Sequence, residues 1–361
     1  MEQAETGHER GGPSDGKSAK ARGPVWLRRH VGEPGMFLIC GEALYDVMVD
    51  EEAERSSGNI CLTAIPGGSP FNVAIGLARL GCNVGLATEL AQDALGHALK
   101  SRLLDEGVDG RFLRETAAAT ALAMVDVALD GTPSYAFHGL KSTLFHPDEA
   151  KVKANIHLLT GVHVGSIPIV SDQSSGALLA LVSGLPEAVI VSFDPNVRLA
   201  IEPDKERWRD RIEAFRRVAH IIKVSEEDLQ GLYGDDCDLE AIVISWLSDR
   251  CSLVALTRGS AGATFFSKSG GQVFVAPVSI KLVDTVGAGD SFQAALLAWL
   301  VDSGATSIER LNGLSFADLS ALGAFAARAA AITCSRQGPD LPTRADLKTH
   351  RTCETASSAA T

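Results

Sequence analysis

Six short apolar runs, at residues 36–40, 84–88, 157–164, 188–193, 220–224 and 253–257, end in small or polar residues. Between them lie amphipathic or Ala-rich stretches of helical length at 72–80, 94–106, 172–183, 206–219 and 239–248. Near-continuous apolar runs read as strands covered on both faces. Strand and helix taking turns is the pattern of a doubly wound α/β sheet flanked by helices. Two places break the rhythm, within about 44–66 and 118–140, the second centred on Asp130-Gly131. Both have hairpin chemistry and are expected to form a small β-sheet over one edge of the main domain, as a lid would. No repeat of solenoid or propeller length is visible.

The main domain is expected to occupy 36–346. Residues 1–35, rich in Gly, Ser, Lys, Arg and Glu without a hydrophobic period, read as a disordered extension, and 347–361 as a frayed tail. The extension contains GGPSDGKS from Gly11 to Ser18, a literal phosphate-loop match. Such a loop works only when a buried strand delivers it and a helix carries its N–H groups to phosphate, and neither flank is apolar. The match therefore reads as chance.

The chain has 361 residues, 45% hydrophobic and 22% charged, enough for a sizeable core without a disulfide or metal staple. Its net charge of −12 argues against a nucleic-acid surface, which needs clustered Lys and Arg. No apolar stretch is expected to approach the ~18 residues of a membrane span, since the most hydrophobic segments, such as 178–193, are broken by residues like Gly184 and Pro186. The seven cysteines are scattered and the N-terminus has no apolar leader, which predicts reduced thiols and a cytoplasmic address.

The chemistry concentrates in DTVGAGDSFQAALLAW, residues 284–299, which follows strand-like segments at 272–276 and 280–283. Gly287, Ala288 and Gly289 allow close backbone approach, and the Ala-rich run after them opens a helix. A helix N-terminus of this kind is an anion cradle. Asp290, in the first turn, reads either as a capping carboxylate or as a reacting group. A cap alone would not require the flanking glycines and the Asp284-Thr285 pair. A dinucleotide fingerprint fails because Phe292 stands where the third glycine belongs.

The segment resembles the D-T-x-G-A-G-D signature of the ribokinase (pfkB-type) family of carbohydrate kinases. The resemblance implies that Asp290 is the catalytic base and that Gly287, Ala288 and Gly289 form the anion hole for a transferring phosphoryl group. PGGSPFNVAIGLARLG, residues 66–81, is similar to the family's N-terminal signature. Read alone, Gly67 and Gly68 permit a turn, Asn72 offers a donor and acceptors, and Val73, Leu77 and Leu80 pack inward. The resemblance places Gly67, Gly68 and Asn72 against the sugar. Asp46, in GEALYD, would by itself be a turn residue; the family's aspartate after strand one accepts hydrogen bonds from two sugar hydroxyls.

In SFDPNVR, residues 192–198, turn chemistry accounts for Asp194 and Pro195 but not for Asn196 and Arg198. The run resembles the DPN-x-R element of fructokinases and ketodeoxygluconate kinases, whose arginine lies near substrate or phosphates. KVSEEDL, residues 223–229, reads as a helix start with Ser225 as N-cap. The family has N-x-x-E there, and Ser225 and Asp228 stand in its place, which implies an indirect, water-mediated role of Asp228 toward Mg²⁺. TRGSAG, residues 257–262, resembles an ATP-contacting turn, so Ser225, Thr257, Gly259, Gly262, Gly287 and Gly289 are the implied ATP-binding set. FAARAAAITCSRQG, residues 325–338, resembles the helix and loop lining the nucleotide pocket, with Ala327 where many relatives have asparagine. In relatives, Asp284 and the carbonyls here of Val286, Thr333, Arg336 and Gly338 hold potassium.

The expectation is a ribokinase-like fold using ATP, Mg²⁺ and K⁺ to phosphorylate a sugar hydroxymethyl. Asp46, Gly67, Gly68, Asn72, Arg198 and Asp290 are the implied substrate site. Fructose is the first choice on the combined motifs, followed by 2-keto-3-deoxygluconate and ribose. The competing readings are a silent sugar-binding regulator, which would be expected to lack Asp290, and an NAD-dependent oxidoreductase. Partners are limited to sugar, ATP and a second copy through the lid, with neither nucleic acid nor membrane.

Overall fold

The computed structural model describes residues 35–49, 60–127, 133–140, 147–248, 250–269 and 271–349. The GGPSDGKS segment, the Asp130-Gly131 turn and the chain beyond 349 lie outside the described residues. The expected tail begins too early: residues 344–349 are helical and Leu347 is buried. Thr343 opens this turn by exchanging hydrogen bonds with Asp346.

The strands are β1 (Met36–Cys40), β2 (Leu44–Val49), β3 (Leu62–Gly67), β4 (Val84–Ala91), β5 (Leu113–Thr116), β6 (Leu122–Val127), β7 (Pro133–His138), β8 (Leu159–Gly165), β9 (Ile190–Asp194), β10 (Ile221–Ser225), β11 (Leu253–Thr257), β12 (Ala263–Ser267) and β13 (Gln272–Val275). The helices are α1 (Ser69–Arg79), α2 (Ala94–Asp105), α3 (Glu149–Asn155), α4 (Ile167–Val170), α5 (Ser175–Ser183), α6 (Lys205–Arg216), α7 (Glu226–Tyr233), α8 (Leu239–Trp246), α9 (Ala288–Asp302), α10 (Ile308–Asn312) and α11 (Phe316–Cys334).

Nine strands form the main sheet in the order β13-β12-β11-β10-β9-β8-β1-β4-β5. From β5 to β11 the pairs are parallel, and β12 and β13 close the edge antiparallel. The chain builds outward from β1 in both directions, so the order reverses between β1 and β8. In such sheets the crevice beyond the carboxyl ends of the strands at this reversal receives ligands. Alternating side chains supply two cores: Phe37, Ile39, Ile221, Leu253 and Ala255 face α1, α9 and α11, whereas Leu38, Cys40, Ile222, Val224, Val254 and Leu256 face the side of α5, α6 and α8.

The expected lid is a second sheet, ordered β3-β2-β6-β7. Its hairpins are antiparallel and β2 pairs β6 in parallel. Tyr45 and Val47 join the main core, and Leu44, Ala121 and Ala123 pack on Ile167.

Two expectations are corrected. Residues 280–283 form no strand; Leu282 and Val283 are exposed, and the Val283 N–H binds the carbonyl of Cys334 at the end of α11 rather than a neighbouring strand. An apolar stretch of spanning length does exist: α11 is long and apolar enough to cross a membrane by length and composition. Here α11 lies against α9, β12 and β13, and Gly323 lets it approach so closely that a Cβ would come within 2.3 Å of Val275. Its first turn is closed by reciprocal bonds between Ser315 and Asp318.

Candidate active site

The centre of the crevice is the N-terminus of α9. Gly287 caps it at φ 78°, a conformation that glycine adopts without strain, and a Cβ there would come within 2.8 Å of Pro339. Because glycine has no side chain, no side chain caps α9; the Ala288 N–H turns back to the Thr285 carbonyl at 3.2 Å, and the next N–H groups of the turn, at Gly289 and Asp290, face a prospective ligand. A Cβ on Gly289 would lie 3.3 Å from Lys223 Nζ, so an ammonium stands beside the cradle.

Asp290 is the third residue of α9, and its carboxylate does not cap the helix. Ser69 Oγ donates to Oδ1 at 2.6 Å, and Asn72 Nδ2 donates to Oδ2 at 2.8 Å. Both partners belong to α1. The two helices meet through small residues, since a Cβ on Gly76 would come within 2.7 Å of Ala294 Cβ. Burial pushes the Asp290 carboxyl up; the Ser69 and Asn72 hydrogen bonds, then Lys223 and Arg198, act against it.

Asp46 lies on β2 against Gly67, where a Cβ would come within 2.4 Å of Oδ2. Gly68 sits at φ 102° with the Glu42 carbonyl 2.9 Å from where its Cβ would be. These glycines let α1 begin directly under the lid. Burial raises Asp46 to about 6, the Arg198 charge lowering it and Asp290 raising it further. Arg198 is exposed, donates through Nη1 to its neighbour Val197, and acts electrostatically on Asp46, Glu42, Asp228 and Asp290.

Asp194 does more than turn the chain. It is 2% exposed and accepts from Lys223 Nζ at 2.9 Å in a buried ion pair. Burial lowers the Lys223 pKa, but Asp194, Asp228 and Asp290 more than offset this and raise it. Ser225 caps α7 as expected: its hydroxyl accepts from the Asp228 N–H at 3.0 Å while Asp228 Oδ2 accepts from the Ser225 N–H. Asp228 Oδ1 accepts from the Val197 N–H at 2.9 Å, tying α7 to the turn after β9. With both oxygens occupied by backbone donors, Asp228 fits a water-mediated position toward Mg²⁺ rather than direct ligation. Among the described residues, no group of three or more His, Cys, Asp or Glu side chains is placed to hold a metal.

At the turn between β11 and β12, Thr257 ends β11 and Gly259 and Gly262 have φ of 52° and 92°. A Cβ on Gly262 would strike the Val275 carbonyl at 2.3 Å, so this hairpin requires glycine. Asp284 Oδ1 accepts from the Val286 N–H at 3.0 Å and Oδ2 from the Gly338 N–H at 2.8 Å. Val283 and Asp284 also donate to the Cys334 carbonyl. These bonds tie Asp284 to Val286, Gly338 and the end of α11 at Cys334. Here the Thr333 carbonyl accepts from the Arg336 N–H at 2.9 Å and the Gly338 carbonyl from the Asp340 N–H at 2.8 Å.

Sequence reasoning missed Ser69, Lys223, Glu42 and Ser166 as parts of this region. Lys223 had a signal, a lone charge within the buried run IIKVS. Ser69 had only its place before Pro70. Ser166 and Asn196 are non-glycine residues at φ 60° and 43°, and residues held in sparse backbone regions carry strain of order 1–3 kcal/mol and gather at functional sites.

A model of the pfkB family carbohydrate kinases matches residues 36–346. Probable fructokinase-4 of Arabidopsis thaliana is 33% identical over 324 residues, covering 88% of this chain and 97% of that protein. Fructokinase-1 of Oryza sativa subsp. japonica is 30% identical over 321 residues, covering 88% and 97%. Among solved structures, the fructokinase of Xylella fastidiosa with bound ATP has a TM-score of 0.79 at 23% identity, covering 90% of this chain and 100% of that one; this likeness shows the ribokinase-like fold. The family match spans both sheets, the Asp290 cradle and the Asp284 corner, and the chain belongs to the pfkB family of carbohydrate kinases.

Proposed function

We propose that this protein transfers the γ-phosphoryl group of ATP to the hydroxymethyl of fructose, giving fructose 6-phosphate and ADP. The observation that carries the reading is Asp290, held by Ser69 and Asn72 at the uncapped start of α9. Relatives described as fructokinases at 30–33% identity support the choice of sugar.

In this reading Asp46, Gly67, Gly68, Asn72 and Arg198 surround the sugar and orient its hydroxyl toward Asp290. Ser69 and Asn72 hold the carboxylate through a hydroxyl and an amide, which can yield to the acceptor. Asp290 takes the hydroxyl proton as the oxygen attacks γ-phosphorus and the bond to ADP breaks. The N–H groups of Gly287, Ala288 and Gly289 stabilise charge on the phosphoryl oxygens. Ser225, Thr257, Gly259 and Gly262 position ATP. Asp228 would hold the water of a bound Mg²⁺, whose charge would offset that of the phosphates. Asp284 with the carbonyls of Val286, Thr333, Arg336 and Gly338 would hold K⁺ and steady the cradle. The lid excludes water, limiting hydrolysis of ATP.

The exposed apolar residues Met48, Val49, Ile60 and Leu62 around β2 and β3 support a homodimer through the lid, and the free cysteines support a reducing, cytoplasmic setting. The test is a coupled assay of ADP formation across fructose, ribose, 2-keto-3-deoxygluconate and adenosine, with the product's phosphate position determined. Fructose should have the highest kcat/KM, with phosphate at C6. A higher value for another acceptor would replace fructose, and no turnover on any would favour the silent regulator.

A further inference from the structure

Among the described residues, Ser166 and Asn196 are the non-glycine residues with positive φ, and they bond each other. Asn196 Nδ2 donates to Ser166 Oγ at 3.1 Å, and Ser166 Oγ donates to Glu42 Oε1 at 2.7 Å. The three follow β1, β8 and β9, which are neighbours in the sheet. The backbone continues the same tie, for the Ser166 N–H reaches the carbonyls of Asp194 and Pro195, and the Asn196 N–H reaches Asp194 Oδ1.

Glu42 is 3% exposed, and its Oε2 has no hydrogen-bond partner. Burial raises its carboxyl to about 7, with the Ser166 hydroxyl the strongest influence against. Buried polar atoms are rarely left unpaired, and none of the steps above uses this one. Oε2 is closed to solvent and therefore to sugar, so direct substrate contact does not explain it. Glycine would take the Ser166 backbone at no strain. What serine adds is the hydroxyl linking Glu42 to Asn196.

We propose that Glu42 is a positioning residue that, through the Ser166 hydroxyl, holds Asn196 in its left-handed turn and so aims Arg198, two residues on, at the sugar. The inference rests on the placement of Arg198 at the acceptor end in the preceding reading.

The test uses the full chain and three variants, Glu42→Ala, Glu42→Gln and Ser166→Ala. Ser166→Ala keeps the Cβ and removes the hydroxyl alone, so it stays informative if Glu42→Ala does not fold. Hydrogen exchange over 194–199 is measured without sugar, and KM is measured separately for fructose and ATP. Glu42→Ala and Ser166→Ala should speed exchange at Asn196 and Val197 and raise the fructose KM about tenfold, the scale of one lost hydrogen bond. The ATP KM should stay within about twofold. Glu42→Gln keeps a neutral acceptor for Ser166 and should hold the fructose KM within about threefold of the parent. Parental exchange and KM in both Ala variants, or equal damage from Gln and Ala at position 42, would overturn the brace. Faster exchange with an unchanged fructose KM would overturn instead the acceptor-end placement of Arg198 on which the proposal depends.

Discussion

Helices α7 and α9 both begin beside the crevice, and each has an aspartate as its third residue. At α7 the preceding residue is Ser225, whose hydroxyl completes a reciprocal box, so that backbone N–H groups occupy both oxygens of Asp228. At α9 the preceding residue is Gly287, which has nothing to offer, and Asp290 turns to Ser69 and Asn72 of another helix. Local position is the same; the cap residue decides whether the carboxylate becomes part of the scaffold or stays available for chemistry. Burial pushes both acids up and Lys223 pulls both back.

The largest expected effect comes from removing the charge that both helices share. Lys223→Met leaves Asp194 buried without its partner, and breaking such a pair costs about 3–5 kcal/mol. Denaturant unfolding should show that loss; a change under about 1 kcal/mol would mean that the pair does not hold this region together. Asp46→Asn weakens the acceptor side while sparing both helices. With hydrogen bonds to charged groups contributing about 1.5–3 kcal/mol, the sugar KM should rise roughly 10- to 100-fold and the ATP KM should not follow. The same residue predicts a pH dependence. Asp46 titrates near 6, so acidification through that value converts an acceptor-only carboxylate into a neutral acid and should raise the parental sugar KM; the Asp46→Asn variant should lose this response. Equal responses in both would clear Asp46 of the role.

A smaller effect is expected from Asp228→Asn. The amide cannot accept from both backbone donors, and loss of a cap costs ~1–2 kcal/mol. Thermal and denaturant unfolding should register it, and a loss of binding without a loss of stability would place Asp228 with Asp290 rather than apart from it. The smallest effect should follow deletion of residues 1–33. If GGPSDGKS is a chance match, ATP affinity and turnover stay near the parental values, whereas a folded truncation that no longer binds ATP would revive the phosphate-loop reading.

The alternating runs were legible because burial on both faces makes β1, β10 and β11 almost wholly apolar, with Lys223 the buried charged exception. The α9 cradle was legible for the opposite reason: small residues, a helix start and an acid lie within one short segment. Local sequence left the role of Asp290 open between cap and base, because the residues that hold it, Ser69 and Asn72, are 221 and 218 positions away. The partnership of Glu42 with Ser166 spans 124 positions and has no local pattern. Residues 280–283 have strand-like composition but their backbone partner, the Cys334 carbonyl, lies far along the chain at the end of α11 and has no local signal.

The central claim, that Asp290 takes the acceptor proton while Asp228 builds the scaffold, is tested by single-turnover phosphoryl transfer at saturating sugar and ATP. Asp290→Asn and Asp228→Asn are compared with the parent, with binding followed by calorimetry. General-base catalysis contributes about 10²- to 10⁴-fold, so the Asp290→Asn rate should fall into that range while both substrates still bind. Asp228→Asn should stay within about tenfold of the parent, below the least that such catalysis supplies. A rate for Asp290→Asn above about a tenth of parental, or equal losses in the two variants, would contradict the account.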